Sequence, residues 1–310
     1  MPNRGTRARY RVIHETRYTY SSSVASARQL AHLAPRATPW QRVLSYHLEI
    51  DPQPAERESR RDYFGNDIVS FSLDTPHEEM TARAESVVEV SAHSPAARAA
   101  CEPWEGALAR PGEWGPGLDL DVEQYRVPSP AAPLLPAARA YALPSFAPER
   151  AWLAALLELT RRIHDDFTYD PEATTVNTGI AEVMAHRRGV CQDFAHLMLA
   201  CLRSLGLPAR YVSGYVLNRP PPGKPPMAGA DASHAWIAAH SPDLGWVAFD
   251  PTNGKIADLE FITLGWGREF SDVTPLRGVV LGGASQKLAV AVKVEPMAET
   301  PGVAVTGVTG

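Results

Sequence analysis

The stretch GVCQDFAHLMLACLRSLGLPA, residues 189–209, narrows the possible folds more than any other part of the chain. Phe194, Leu197, Met198, Cys201, Leu202 and Leu205 recur at helical spacing and line one face. Gly206 and Pro208 then supply the stop. Three runs with strand character follow, ARYVSGYVL, HAWIAAH and GWVAFD. A helix followed by antiparallel strands points to an α+β domain.

Cys191 stands where the loop becomes this helix, just after Arg187 and Arg188. A structural cysteine can sit anywhere on an apolar face. At a helix start, unpaired backbone N–H groups and the helix dipole stabilise negative charge, which suits a working thiolate. The same N–H groups can hold the oxyanion formed when a carbonyl is attacked. A thiol nucleophile needs a base. His234 opens the strand HAWIAAH, and Asp250 closes the strand GWVAFD. If these strands are antiparallel neighbours joined by the turn SPDLG, His234 and Asp250 fall at one end of the sheet. The carboxylate can then orient one ring nitrogen and leave the other for the sulfur, which is the logic of a Cys-His-Asp triad.

The rest of the 310 residues divides by pattern. Residues 1–95 alternate apolar and polar positions in ARYRVIHETRYTY, VLSYHLEI, NDIVSFSL and ESVVEVSAH, and predict a β-rich, sandwich-like N-terminal domain. Residues 96–150 are rich in Ala and Pro and predict a connecting segment with short helices. Residues 151–265 are expected to form the core that carries Cys191, with helices over FAPERAWLAALLELTRRIHDD and GIAEVMAHRRG. Residues 266–310 are expected to be a C-terminal extension, with one strand in QKLAVAVKVEPM and a loose tail. A 45% hydrophobic share supports a packed core, and a formal charge of −5 gives no basic face for nucleic acid. No apolar run reaches the ~20 residues needed to cross a membrane, and none follows the basic N-terminus, so a cytoplasmic location is expected.

The motif set GVCQDFAHLMLACLRSLGLPARYVSGY, HAW and GWVAFDPTNG resembles the transglutaminase-like superfamily of papain-type thiol enzymes. The likeness extends to bacterial two-domain members through Asp62-Tyr63-Phe64-Gly65-Asn66, FTYDPEATTVNTGIAEVM and GREFSDVTPLRGVVLGG, although Glu269, Phe270 and Thr274 depart from the family pattern. The resemblance implies a papain-like or transglutaminase-like core with Cys191 as nucleophile, His234 as base and Asp250 as orienter. It also implies acyl transfer on an amide of a protein or peptide, with no cofactor. Release of the acyl group to water would make a peptidase or amidase, and release to a lysine amine a crosslinking transglutaminase. Hydrolysis is the expectation, because many microbial relatives are regarded as hydrolases. The alternative from another class is a non-catalytic binding module that retains the fold.

Other residues invite plainer readings. Cys201 lies on the apolar helix face and belongs in the core, whereas Cys101 is isolated. His196 is expected to pack, and His164 and His186 to sit at surface or cap positions. Asp193 is placed to cap the helix. Gln192 and Tyr169 are candidates for oxyanion support. Trp236 and Trp246 could wall the cleft or equally fill the core. Ser213 and Ser233 lack a G-x-S-x-G elbow. No CxxC, HExxH or tight His/Cys cluster points to a metal. Residues 218–233, rich in Pro and Gly, read as a surface loop beside the cleft or an inert connector.

Overall fold

The computed structural model describes residues 7–93, 102–108, 119–175, 178–217 and 232–297. Cys101, the tail from 298 onward and all but the last two residues of the 218–233 segment lie outside the described residues. The first half is organised by one 25-residue strand, β1 (Arg7–Ala31), whose first half alternates inward Tyr10, Val12, His14 and Thr16 with more exposed neighbours. β2 (Gln41–Asp51) and β3 (Glu56–Arg61) precede β4 (Asp67–Leu73) and β5 (His77–Ser91). β4 and β5 run antiparallel to β1 in succession, with Ala27 opposite Leu73 and Arg7 opposite Ser91. β3 pairs with β4, and β2 with β5.

Two strands from the far end of the chain complete this seven-stranded sheet. β13 (Leu276–Gly282) and β14 (Gln286–Met297) pair antiparallel with β1, in the registers Ala31 to Leu276 and Arg9 to Met297. Past Gly267, the expected C-terminal extension thus joins the N-terminal sheet. A strand as long as β1 offers two edges, and chain more than 240 residues away fills one of them. Regular pairing with β5 breaks between Thr19 and Val24, and pairing with β13 shifts between Val24 and Ser26. Such irregularities bend a strand. Tyr20, Leu48, Ile50, Met80 and Ala82 on one side of the break share a core with Ala27, Val69, Phe71, Leu73 and Leu276 on the other. The sheet thus doubles over its own apolar face, which is the sandwich-like character expected.

The second half is a helical layer against a five-stranded antiparallel sheet of order β11-β10-β9-β8-β12. Its strands are β8 (Ala209–Val216), β9 (His234–Ser241), β10 (Gly245–Asp250), β11 (Lys255–Ile256) and β12 (Phe261–Gly267). The helix predicted after Gly189 is α5 (Cys191–Ser204), preceded in the chain by α1 (Leu120–Glu123), α2 (Pro136–Ala142), α3 (Trp152–Asp166) and α4 (Ile180–His186). The expectation of one apolar face on α5 was too narrow. Every residue from Asp193 to Arg203 is buried, because α2, α3 and α4 cover the sides that the sheet does not. Ala138 and Ala142 of α2, within the expected 96–150 connector, are fully buried in that core.

The two halves meet along β12, the edge strand of the second sheet. An open edge presents unpaired backbone groups, and here two side-chain amides answer them. Gln41 Nε2 donates to Thr263 O (2.7 Å), and Gln41 Oε1 accepts from Thr263 N–H (2.8 Å). Asn66 Nδ2 donates to Trp266 O (2.8 Å), and Asn66 Oδ1 accepts from Trp266 N–H (3.0 Å). Asn66 closes the Asp62-Tyr63-Phe64-Gly65-Asn66 turn, in which Gly65 takes φ +75°. Gly265 admits the amide, since a Cβ there would lie 2.7 Å from Asn66 Oδ1. Tyr10, Val12, Val88 and Val90 seal the contact against Tyr215, Ile262 and Leu264.

Asn66→Ala would leave the half-buried Trp266 N–H and C=O without these partners. We expect it to lower the unfolding free energy by about 2–3 kcal/mol, as measured by chemical denaturation. A change under about 0.5 kcal/mol would mean the clasp contributes nothing beyond the apolar contact.

Candidate active site

A two-residue parallel pairing of β6 (Thr168–Tyr169) with β7 (Arg188–Gly189) delivers the chain to the start of α5. Arg187 ends α4 in the left-handed region at φ 53° and is exposed, as is Arg188, which faces Asp170 at 3.5 Å. Gly189 permits the next turn because a Cβ there would meet the Asp193 side chain at 2.7 Å. Asp193 Oδ2 accepts from the Val190 N–H (2.8 Å) and from the Thr174 hydroxyl (2.6 Å), so it caps the helix as expected. The first helical bond runs from Phe194 N–H to Val190 O, which leaves the N–H groups of Cys191, Gln192 and Asp193 ahead of the ladder. Cys191 is a free, partly buried thiol at that position.

His234 and Asp250 come together as the strand pairing requires. β9 and β10 pair from Ser241 opposite Gly245 to Ile237 opposite Phe249, so the start of one lies beside the end of the other. His234 Nε2 lies 2.9 Å from Asp250 Oδ2, and both side chains are fully buried. Gly214 of β8 sits opposite His234, and only glycine fits, since a Cβ would meet Ile262 O at 2.1 Å. The other ring nitrogen, Nδ1, is buried without a geometric hydrogen-bond partner, and the Cys191 side chain neighbours the ring. Burial works against charge on the ring. The Asp250 carboxylate, its hydrogen bond and the neighbouring Cys191 side chain outweigh that and raise the His234 pKa above its usual 6.5. Burial likewise works against the Asp250 carboxylate, yet His234 and Asn253 hold it below the usual carboxylate range.

Asn253, which the sequence reading passed over, belongs to this cluster. Its Nδ2 donates to Asp250 Oδ2 (2.6 Å), and Asp250 Oδ1 accepts from the N–H groups of Thr252 (2.9 Å) and Asn253 (3.2 Å). The signal was the FDPTNG run, whose Asx-type turn folds back on its own aspartate. His164 of α3 fastens this turn by donating to Thr252 O (2.7 Å), while remaining exposed as expected.

The supporting candidates separate. Tyr169 is 37% exposed, and burial followed by the nearby Cys191 raises its pKa, which puts the phenol on the Cys191 side of the site. Gln192 is partly buried in the first helical turn. Trp236 is core, edge-on to Phe261 (5.3 Å) and 6.0 Å from the His234 ring. Trp246 does not wall this site. It lies four residues before Asp250, or ~13 Å along an extended strand, and packs against Tyr125 and His240. His196 is buried, accepts from Phe270 N–H (3.1 Å), and is pushed down to about 4 by burial, so it packs as a neutral ring. Cys201 is fully buried, and burial pushes its thiol up to about 12.

Two measurements check this geometry. Iodoacetamide should label Cys191 and not Cys201, and His234→Ala should slow Cys191 labelling at neutral pH by about 10-fold or more; unchanged labelling would separate the pair. The second is the stability difference between wild type and the His234→Ala/Asp250→Ala double variant against pH. The lowered Asp250 pKa contributes above about pH 4 and is lost as pH falls. The raised His234 pKa contributes fully below about pH 6.5 and is lost as pH rises through its folded value. The difference should therefore be largest between those limits and shrink on both sides.

This arrangement, a thiol at a helix start beside a carboxylate-held imidazole, is able to attack a carbonyl carbon and protonate a leaving amine. Comparisons with known proteins agree in kind. Residues 139–251 match the family model of the transglutaminase-like superfamily, and residues 10–89 match that of the bacterial transglutaminase-like N-terminal region. An uncharacterized protein of Mycobacterium tuberculosis, Rv2569c, is 42% identical over 289 residues, spanning 90% of each chain. A protein-glutamine gamma-glutamyltransferase of Pseudomonas aeruginosa is 36% identical over 108 residues, 33% of this chain and 16% of that protein. A solved structure of a candidate cysteine protease from Cytophaga hutchinsonii shares the fold with a TM-score of 0.74 at 19% identity, covering 95% of this chain and 92% of that one. The chain belongs to the transglutaminase-like superfamily and carries, ahead of the core, the N-terminal region of its bacterial members.

Proposed function

We propose that this protein is a cysteine-dependent acyl-transfer enzyme acting on amide bonds of a peptide or protein, with water as the usual acceptor. The observation that carries the reading is the division of the His234 ring: Nε2 on Asp250, Nδ1 buried and unpartnered at the Cys191 side. The Cys191 sulfur attacks the amide carbonyl carbon and the oxygen becomes an oxyanion, held by the free N–H groups of the first helical turn. As the tetrahedral adduct collapses, the C–N bond breaks and the protonated His234 gives its Nδ1 proton to the leaving amine. Water then attacks the thioester, His234 takes a proton from it, and the carboxylic acid leaves as Cys191 is restored. Asp250 and Asn253 keep the ring in one orientation throughout. Tyr169 is the candidate second donor to the oxyanion.

A second reading has its own support. The Pseudomonas relative is named as a glutamyltransferase, and in that chemistry a lysine amine replaces water in the second step. Both readings share the thioester, so the first experiment is common to them. Glutamine-containing peptides would be incubated with the protein, with and without a primary amine, and Cys191 adducts and products would be read by mass spectrometry. An acyl adduct on Cys191, lost in Cys191→Ala, supports acyl transfer. Free acid as the product despite added amine supports hydrolysis, and the amide supports the transferase. A fully folded protein in which no peptide or activated ester acylates Cys191 would favour a binding module.

Tyr169→Phe should reduce kcat by about 10- to 100-fold with KM little changed, the pattern of a lost oxyanion donor. An unchanged kcat would assign the second donor elsewhere.

A further inference from the structure

Away from the Cys191 site, one buried side chain has no electrostatic counterpart. Arg210, in the inner strand β8, is 6% exposed. Its guanidinium lies between two indoles, 4.1 Å from the Trp246 ring centre and 3.7 Å from that of Trp266. Those rings cover both faces of the planar group and leave only its edge to donate hydrogen bonds. No carboxylate pairs with it among the described residues, its titratable neighbours being Tyr125 and Arg36, and its Nε–H is buried with no acceptor. A second guanidinium, that of Arg36, stacks on the Trp266 ring at 3.6 Å, but its charge faces the carboxylates of Asp62 and Asp67. Burial is the largest influence on Arg210 and lowers its pKa to about 9, which still leaves a cation at neutral pH. A buried, unpaired charge is among the costlier features a fold can hold.

Arg210 also lines a small cavity between the two halves of the molecule, together with Trp40, His93, Trp236, Phe261 and Trp266. Its volume is about 20 Å³, room for one particle of roughly water size. No lining residue is acidic; the Asp258 carboxylate lies 3.5 Å from His93 Nδ1, which bonds Ser91 O, and burial lowers the His93 pKa, so the ring adds no positive charge at neutral pH.

We propose that this cavity is a binding site for a single monatomic anion of the halide class, held at the edge of the Arg210 guanidinium. The volume excludes a peptide or nucleotide, and the unpaired Arg210 charge favours an anion over water. Trp40 and His93 come from the N-terminal half, whereas Arg210, Trp236 and Trp266 come from the second sheet, so the ion joins the two. Trp236 and Phe261 also pack against His234, at 6.0 Å and 6.2 Å between ring centres, which places the ion one layer of side chains from that ring.

The test uses the full chain and does not depend on any enzymatic activity. Thermal unfolding would be followed in sodium chloride, sodium bromide and sodium gluconate at matched ionic strength. The expected result is a saturable rise in Tm of about 3 °C in chloride and bromide over gluconate, absent in Arg210→Met. Because replacing Arg210 also removes its stacking on two indoles, crystals of the wild-type protein soaked in bromide provide an independent reading, with an anomalous peak expected in this cavity. A Tm that follows ionic strength alone, or a bromide-soaked crystal without a peak at Arg210, leaves the cavity to water and overturns the proposal. Peptide acylation of Cys191 would stand or fall separately.

Discussion

A histidine and an aspartate buried together at the end of two strands govern the second half of this protein. Neither side chain of the His234–Asp250 pair reaches solvent, and such a pair is tolerated only when hydrogen bonds satisfy its remaining polar atoms. The surrounding structure supplies them. The turn after β10 wraps its own N–H groups and the Asn253 amide around the carboxylate, and α3 pins that turn through His164. Gly214 lets the strands close over the ring. One nitrogen alone, Nδ1, is left without a partner, on the side of the thiol that the start of α5 provides.

The N-terminal half is more than an appended module. It answers an open edge. β12 would expose the backbone of Thr263 and Trp266, and the amides of Gln41 and Asn66 act there in place of a neighbouring strand. The chain then returns to the first sheet with β13 and β14, so that sheet is completed only after the second has been built. Cys191 and His234 therefore sit on a scaffold whose two ends are woven together, and the contact between halves carries the unpaired Arg210 as well as apolar packing.

The local elements were legible where pattern and punctuation agreed. α5 with its Gly-Leu-Pro stop, the strands at HAWIAAH and GWVAFD, and the strand QKLAVAVKVEPM all appear at or near the predicted residues. The meeting of His234 with Asp250 was readable as well, because a short hairpin leaves little choice of register. Other features carried no local signal. β12 and β13 gave none that was recognised, since FITLGWG and LRGVVLG interrupt their alternation with glycines that serve close packing. Trp246 has the same strand character as Trp236, and the sequence offered no means to tell which of them would lie near His234.

The available chemistry is written into short segments of the chain: one thiol at a helix start, and one imidazole and one carboxylate at facing strand ends. These follow from short-range rules of helix starts and hairpins, which act over a few residues. Tertiary structure decided the rest, because it depends on contacts between distant parts of the chain. It buried α5 on every side, brought residues 276–297 back to β1, and gave Asn66 the backbone of Trp266 to hold. It also left Arg210 between two indoles without a counter-charge. Whether a buried charge is paired is a property of the folded neighbourhood, and no pattern in the strand that carries Arg210 announces it.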